Sequence, residues 1–160
     1  MRPRRPSLKR WRPVLAWFLL TVGLNLLWEI GQISFYTLWQ HANTVEITEA
    51  VVHCTFGDLA ISIGTFVLVA VITGRREWPV ARARGGRALA LCLGLAYTAW
   101  SEWRNVYVLG SWSYGPDMPT IAGVGLLPML QWVFVPLATW ALLRALFYRD
   151  RNASGDKASI

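Results

Sequence analysis

The chain has 160 residues, enough for one domain, and apolar side chains make up 54% of it. Only 16% of the residues are charged, against about 25% in an average soluble domain. These proportions exclude a disordered chain and a disulfide scaffold, and they argue against an ordinary soluble enzyme. The net charge of +7 is confined to short basic clusters between apolar runs, so we expect no nucleic-acid partner.

Four apolar runs follow one another along the chain, and each approaches or exceeds the ~20 residues that a transmembrane helix needs. They cover residues 14–39, 50–73, 88–109 and 121–147. The sequence therefore predicts an all-α fold: a polytopic membrane domain at residues 14–147, with four transmembrane helices in a bundle. We expect a basic tail at residues 1–13 and a polar tail at residues 148–160.

The basic residues predict the direction of these spans. Fifteen of the sixteen lie in the N-terminal tail, in the 74–87 loop or from Arg144 onward. The connections at residues 40–48 and 110–120 carry no Lys or Arg. Since cytoplasmic loops are enriched in these residues, we predict a multi-pass protein with both termini in the cytoplasm. Tryptophans such as Trp78 and Trp140 lie near predicted boundaries, as interfacial aromatic residues do.

Ionisable and amide side chains interrupt the predicted spans at helical spacing. Asn25, Glu29 and Gln32 follow an i, i+4, i+7 pattern and share one face of the first helix. Glu102 and Asn105 share a face of the third helix. Such groups are costly in a bilayer, by roughly 2.5–3.5 kcal/mol each for the charged ones, so their faces should turn inward.

The remaining polar positions complete a predicted cavity. His53 and Asp58 lie on the second predicted helix and Gln131 on the fourth. With the predicted orientation, all these groups fall in the half of the bundle that faces away from the cytoplasm. We therefore expect a polar cavity that opens to the outer side, with the turn-rich segment Trp112–Pro119, which contains Tyr114, as its lid.

The leading functional hypothesis is an intramembrane site for a small apolar molecule of lipid, isoprenoid or quinone type. Glu29, Asp58 and Glu102 would transform it by general acid–base chemistry. The residues that would bind and orient this ligand are Asn25, Gln32, His53, Asn105, Trp112, Tyr114 and Gln131.

Two alternatives remain open. The first is a metal-binding protein or metal carrier whose divalent cofactor is held by His53, Glu29, Asp58 and Glu102, although no i, i+3 or i, i+4 ligand pair supports it. The second is a non-catalytic assembly factor or small subunit, whose polar core holds the helices in register. A homo-oligomer or a larger membrane complex fits either alternative, and the lipid bilayer is a partner in all of them.

Several short segments together resemble a family of small bacterial inner-membrane proteins. They are Asn25–Glu29, His53–Asp58, Ser101–Asn105, Trp112–Tyr114 and Gly125–Trp132. The resemblance implies a four-helix protein of the bacterial inner (cytoplasmic) membrane, and it implies no particular activity. A looser likeness is to sterol-isomerase (emopamil-binding) membrane domains, which place His, Glu and Asn groups on transmembrane helices to move a double bond. This chain departs from that type in its fewer predicted spans and in the spacing of His53 and Asp58.

Overall fold

The structure is a computed structural model that describes residues 12–75, 78–79 and 84–155. Within these ranges the chain is mostly helical and all-α, which confirms the predicted fold class at that level. The predicted basic tail lies outside the described residues except for Arg12 and Pro13, and so does the end of the polar tail after residue 155.

The described residues form four long α-helices and one short one. They are α1 (Arg12–Gln32), α2 (the short turn, Leu38–His41), α3 (Thr44–Thr73), α4 (Arg84–Trp103) and α5 (Leu126–Gly155). The long helices form a ring in which α1 and α4 each pack against both α3 and α5. This arrangement encloses an interior that receives side chains from four directions.

Within the described ranges, three helical stretches are long and apolar enough to cross a membrane: Arg12–Phe35, Thr44–Thr73 and Leu126–Phe147. Three of the four predicted spans therefore coincide with a helix that could cross a membrane. Helix α4 is not among them, because arginines at its start and a carboxylate near its end lower its mean hydropathy. The residues of α4 that are buried in the ring are small or polar: Gly86, Ala90, Gly94, Thr98 and Glu102.

Helix α3 begins earlier than the predicted span, at Thr44, because Asn43 caps it. The Asn43 Oδ1 atom accepts the backbone N–H groups of Val45 and Glu46 at 2.9 and 3.1 Å. In return, the Glu46 Oε2 atom accepts the Asn43 N–H at 2.9 Å. This capping box satisfies donors that the first helical turn leaves unpaired, so the predicted loop before residue 50 is partly helical.

The end of the ring where α1 stops contains most of the irregular structure. A 3-10 turn, Ile33–Phe35, ends α1, and a π-helix, Arg104–Leu109, continues α4. Strands β1 (Thr120–Ile121) and β2 (Val124–Gly125) form an antiparallel hairpin before α5. Its tip is left-handed at both Ala122 (φ 52°) and Gly123 (φ 79°), as tight two-residue hairpin turns require.

The two prolines of the fourth predicted span have different effects. Pro128 lies in the first turn of α5, where its missing N–H would have had no helical partner. Pro136 lies inside α5 and removes one backbone hydrogen bond. Only Pro136 therefore interrupts the backbone hydrogen bonding of α5.

Tryptophans close the opposite end of the ring, where α3 connects to α4. Trp78 is 2% exposed and packs with Ala90 and Trp140, and its indole N–H donates to the Phe66 carbonyl oxygen at 3.1 Å. We predicted Trp78 and Trp140 as interfacial residues, but both are buried. Gly86 explains part of the burial of Trp78, because a residue without a side chain lets the Trp78 side chain approach α4 closely.

Gly94 provides a test of this packing. A Cβ atom at position 94 would meet the ring of Trp132, whereas nothing lies near the corresponding position of Gly64. We expect Gly94→Val to lower the free energy of unfolding in detergent micelles by about 1–3 kcal/mol, the usual cost of overpacking. Gly64→Val is the matched control, and equal losses in the two variants would contradict the observed α4–α5 packing.

Candidate functional site

The polar stripe of α1 faces the interior of the ring. Asn25, Glu29 and Gln32 are 3%, 4% and 5% exposed. Thr21, one turn earlier, is also buried and extends the stripe toward the Trp78 end. The spacing of the first three predicted this orientation. Thr21 was missed, although its i−4 spacing from Asn25 was a readable signal.

Gln131 on α5 joins three helices through its side-chain amide. It is 2% exposed, and its Nε2 atom donates to the Asn25 Oδ1 atom at 3.0 Å and to the Asp58 Oδ2 atom at 2.7 Å. Its Oε1 atom accepts a hydrogen bond from the Gln32 Nε2 atom at 3.2 Å. One amide thus connects α1, α3 and α5, and the structure brings together four of the predicted site residues around it.

Two carboxyl groups meet beside this amide. Glu29 and Asp58 contact each other through their carboxyl groups, and the Gln32 Nε2 atom donates to the Glu29 Oε1 atom at 2.7 Å. The Trp28 indole in turn donates to the Gln32 Oε1 atom at 3.1 Å. A carboxylate offers only acceptors, so a hydrogen bond between two carboxyl groups needs a proton on one of them. The pair is therefore an arrangement that can hold and release a proton.

Glu102 lies on α4 and is held by the predicted lid. It is 7% exposed, and its Oε2 atom accepts the Tyr114 hydroxyl at 2.7 Å and, at 3.4 Å, the Trp112 indole. The Tyr114 oxygen also accepts the backbone N–H of Gly125 at 2.9 Å. Burial and the neighbouring Glu102 carboxyl raise the pKa of Tyr114, so the phenol keeps its proton and acts as the donor.

The lid segment, residues 112–119, is fastened to the end of α1. The Gly115 N–H donates to the Phe35 carbonyl oxygen at 2.7 Å, and the Thr37 N–H donates to the Ser113 carbonyl oxygen at 3.1 Å. Tyr36 pairs with Tyr114 in an isolated bridge. These contacts position Trp112 and Tyr114 over Glu102, and they close this end of the ring.

Other predicted residues do not join the cluster. The Asn105 amide donates to the Ser101 carbonyl oxygen at 2.8 Å, one turn back on its own helix. His53 is exposed on α3. Arg104 lies over the Trp100 ring, with its guanidinium carbon 5.7 Å from the ring centroid.

The metal alternative needed His53, Glu29, Asp58 and Glu102 to converge. In the part of the chain that the structure describes, no group of three His, Cys, Asp or Glu residues could hold a metal ion. The exposed position of His53 is the physical reason, since it removes the one nitrogen ligand from the set. The predicted donor set is therefore not assembled.

A cavity of about 40 Å³ lies on the other side of Gln131 from the lid. Its lining includes Asn25, Gln131 and Ser62, and toward the end of the ring it includes Trp78 and Trp140. We predicted a cavity at the lid end. The cavity described here lies instead toward the Trp78 end of the ring.

Replacement of Gln131 tests whether this amide holds the three helices together. Interhelical hydrogen bonds in membranes contribute about 0.6 kcal/mol each, so Gln131→Leu should lower the free energy of unfolding by about 2 kcal/mol. Gln40→Leu, at an exposed position of α2, is the control. Reversible unfolding in bicelles measures both variants, and a loss no greater than that of the control would contradict the assigned role.

Comparison with known proteins does not assign this chain to a family. No protein-family model matches the chain, and no curated protein and no solved structure matches it. The resemblance to small bacterial inner-membrane proteins therefore stays a prediction, and the function has to be argued from the site.

Proposed function

We propose that this chain is a four-span membrane protein that binds a small apolar molecule and moves a proton on it with Glu29, Asp58 and Glu102. The observation that supports the proposal is the presence of three acidic side chains, from α1, α3 and α4, inside one ring of helices. Among the described residues, no Lys or Arg neutralises them. Buried carboxyl groups without a cation are poor structural elements, and they are suited to proton transfer.

Helix α4 is the proposed fourth span. It occupies the same ring as the three apolar helices, between α3 and α5, and it continues as a π-helix to Leu109. A helix in that position lies at the same depth as its neighbours. The concentration of Lys and Arg near the termini and in the 74–87 loop supports cytoplasmic termini, and we retain the bacterial inner membrane as the proposed location.

An unsatisfied hydroxyl next to Glu102 supports a ligand at this carboxyl group. Thr98 lies one turn before Glu102 on the same face of α4 and is 6% exposed. Its Oγ1 atom has no hydrogen-bond partner among the described residues. Buried polar atoms are nearly always paired, so a polar group of the ligand is a suitable partner here.

The lid must move for such a molecule to enter. Ligand pockets usually have volumes of about 300–1,000 Å³. The cavity of about 40 Å³ is far smaller and does not include Glu102 or the lid, so it is not the proposed ligand site. Trp112 and Tyr114 cover Glu102 directly, and displacing them would expose this carboxyl group first. We therefore place the entrance at the lid segment.

One observation favours a second candidate, the non-catalytic assembly factor. The Gln131 amide uses both its donor and its acceptor atoms within the bundle, as expected of a side chain that only holds helices in register. This candidate does not account for Thr98 or for the uncompensated carboxyl groups.

Native mass spectrometry from mild detergent or nanodiscs distinguishes the two candidates. We expect the wild-type protein to retain a mass of several hundred daltons, and Glu102→Gln and Thr98→Val to retain less of it. Glu49→Gln, at an exposed position of α3, is the control. A bare polypeptide mass from nanodiscs, or equal retention in all variants, would contradict the ligand site and favour the assembly factor.

Tyr114→Phe tests the lid. The variant loses the hydroxyl that donates to Glu102 and accepts from the Gly125 N–H, so the lid should separate from α4 more often. Hydrogen–deuterium exchange of residues 112–119 should become faster than in the wild type. Tyr97→Phe changes an exposed tyrosine of α4 and should leave this exchange unchanged. Unchanged exchange in Tyr114→Phe would disprove the assigned role of the hydroxyl.

A further inference from the structure

We propose that the cavity between Gln131 and Trp140 holds water and is the inlet through which protons reach the carboxyl pair Glu29–Asp58. The inference rests on the proposed function only for the use of the proton. The argument that water occupies the cavity rests on the size and lining of the cavity and does not depend on the proposed function.

The size and lining of the cavity fit water rather than an organic ligand. Its volume of about 40 Å³ has room for about two or three water molecules. Apolar cavities stay dry, whereas a water molecule needs two to four polar partners. The polar residues of the lining are Thr21, Asn25, Ser62, Thr65, Gln131 and Trp140. They come from α1, α3 and α5, and the rest of the lining is apolar.

Trp140 is an independent sign of occupancy. It lines the cavity and is 6% exposed, and its Nε1 atom has no hydrogen-bond acceptor among the described residues. An indole N–H is a donor only, so it can be satisfied in this position by an oxygen inside the cavity. Trp78 is buried beside it but is already paired with the Phe66 carbonyl, so it does not need the same partner.

Helix α3 leads from the cavity to the carboxyl pair. Ser62 is 7% exposed and lines the cavity, and Asp58 lies one turn before it on the same face. Residues spaced by one turn lie about 5–6 Å apart at Cβ, a gap that one water molecule bridges. The Gln131 amide forms the wall next to this gap and holds the Asp58 Oδ2 atom at 2.7 Å. A proton on cavity water thus has a short path to Asp58 and then to Glu29.

The opposite end of the cavity leads toward the α3–α4 connection. Trp140 is its last lining residue on α5, and the half-buried Arg87 lies over the Trp140 ring at 5.4 Å. The lid closes the other end of the ring. The proposed routes are therefore separate: protons come from the Trp78 end, and the ligand comes from the lid end.

X-ray radiolysis of the wild-type protein tests the occupancy, because ordered water yields hydroxyl radicals that oxidise adjacent side chains. We expect mass spectrometry to find Trp140 oxidised, and this signal to be lost in Ser62→Leu, whose larger side chain fills the cavity. Thr65→Val keeps the side-chain volume but removes a hydroxyl from the cavity lining, so it should weaken the oxidation of Trp140. It is the second test variant if Ser62→Leu does not fold. Ser34→Leu, at an exposed position near the lid, is the control. Unmodified Trp140 beside modified, exposed Trp39 would overturn the proposal.

Infrared spectroscopy in D₂O tests the inlet. The C=O stretching band of protonated carboxyl groups should shift when deuterons replace their protons. The part of this band that is absent in Asp58→Asn belongs to the Glu29–Asp58 pair. We expect this part to shift more slowly in Ser62→Leu than in the wild type, and equal rates would overturn the inlet. These results do not depend on a bound ligand. Failure of the inlet and failure of the proposed function are therefore distinguishable, since the latter is decided by the retained mass.

Discussion

A polar side chain in the interior of a membrane domain must find its partners inside the protein, and Gln131 is the residue on which this requirement converges. Its amide reaches Asn25, Asp58 and Gln32 on two other helices. The arrangement of α1, α3 and α5 around one another is thereby restricted, because a rotation of any one of them leaves buried donors or acceptors unpaired. The contact between Glu29 and Asp58 depends on the same geometry.

Different interactions hold the two ends of the ring together. At one end, Trp78 and Trp140 pack as aromatic surfaces, and an α4 glycine allows their approach. At the other end, backbone hydrogen bonds and the Tyr114 hydroxyl fasten an extended segment across the helix ends. Aromatic packing resists local opening, whereas a short polar strap can separate without unfolding the helices. This asymmetry is the reason for placing the proposed opening at the lid end rather than at the Trp78 end.

Much of the site follows from helical periodicity alone. Asn25, Glu29 and Gln32 share a face by spacing, and that face is buried as expected. Periodicity could not predict that the Asn105 amide bonds to its own helix, because the choice of partner depends on which groups the folded chain brings close to it. Nor could it place the cavity. Which end of a ring is filled depends on the volumes of side chains from four helices, and no local pattern encodes their sum. The burial of Trp78 has the same origin.

The π-helix after Trp103 has a consequence for how this chain can change length. A π-turn contains about one residue more than an α-turn, so residues 104–109 carry a surplus residue relative to a regular helix. Removing one residue there would restore the α-helical phase and rotate everything downstream by about 100°. Trp112 and Tyr114 would then no longer arrive over Glu102. The chain length between Glu102 and the lid is thus a geometric element of the site, as important as the identity of the side chains that it delivers.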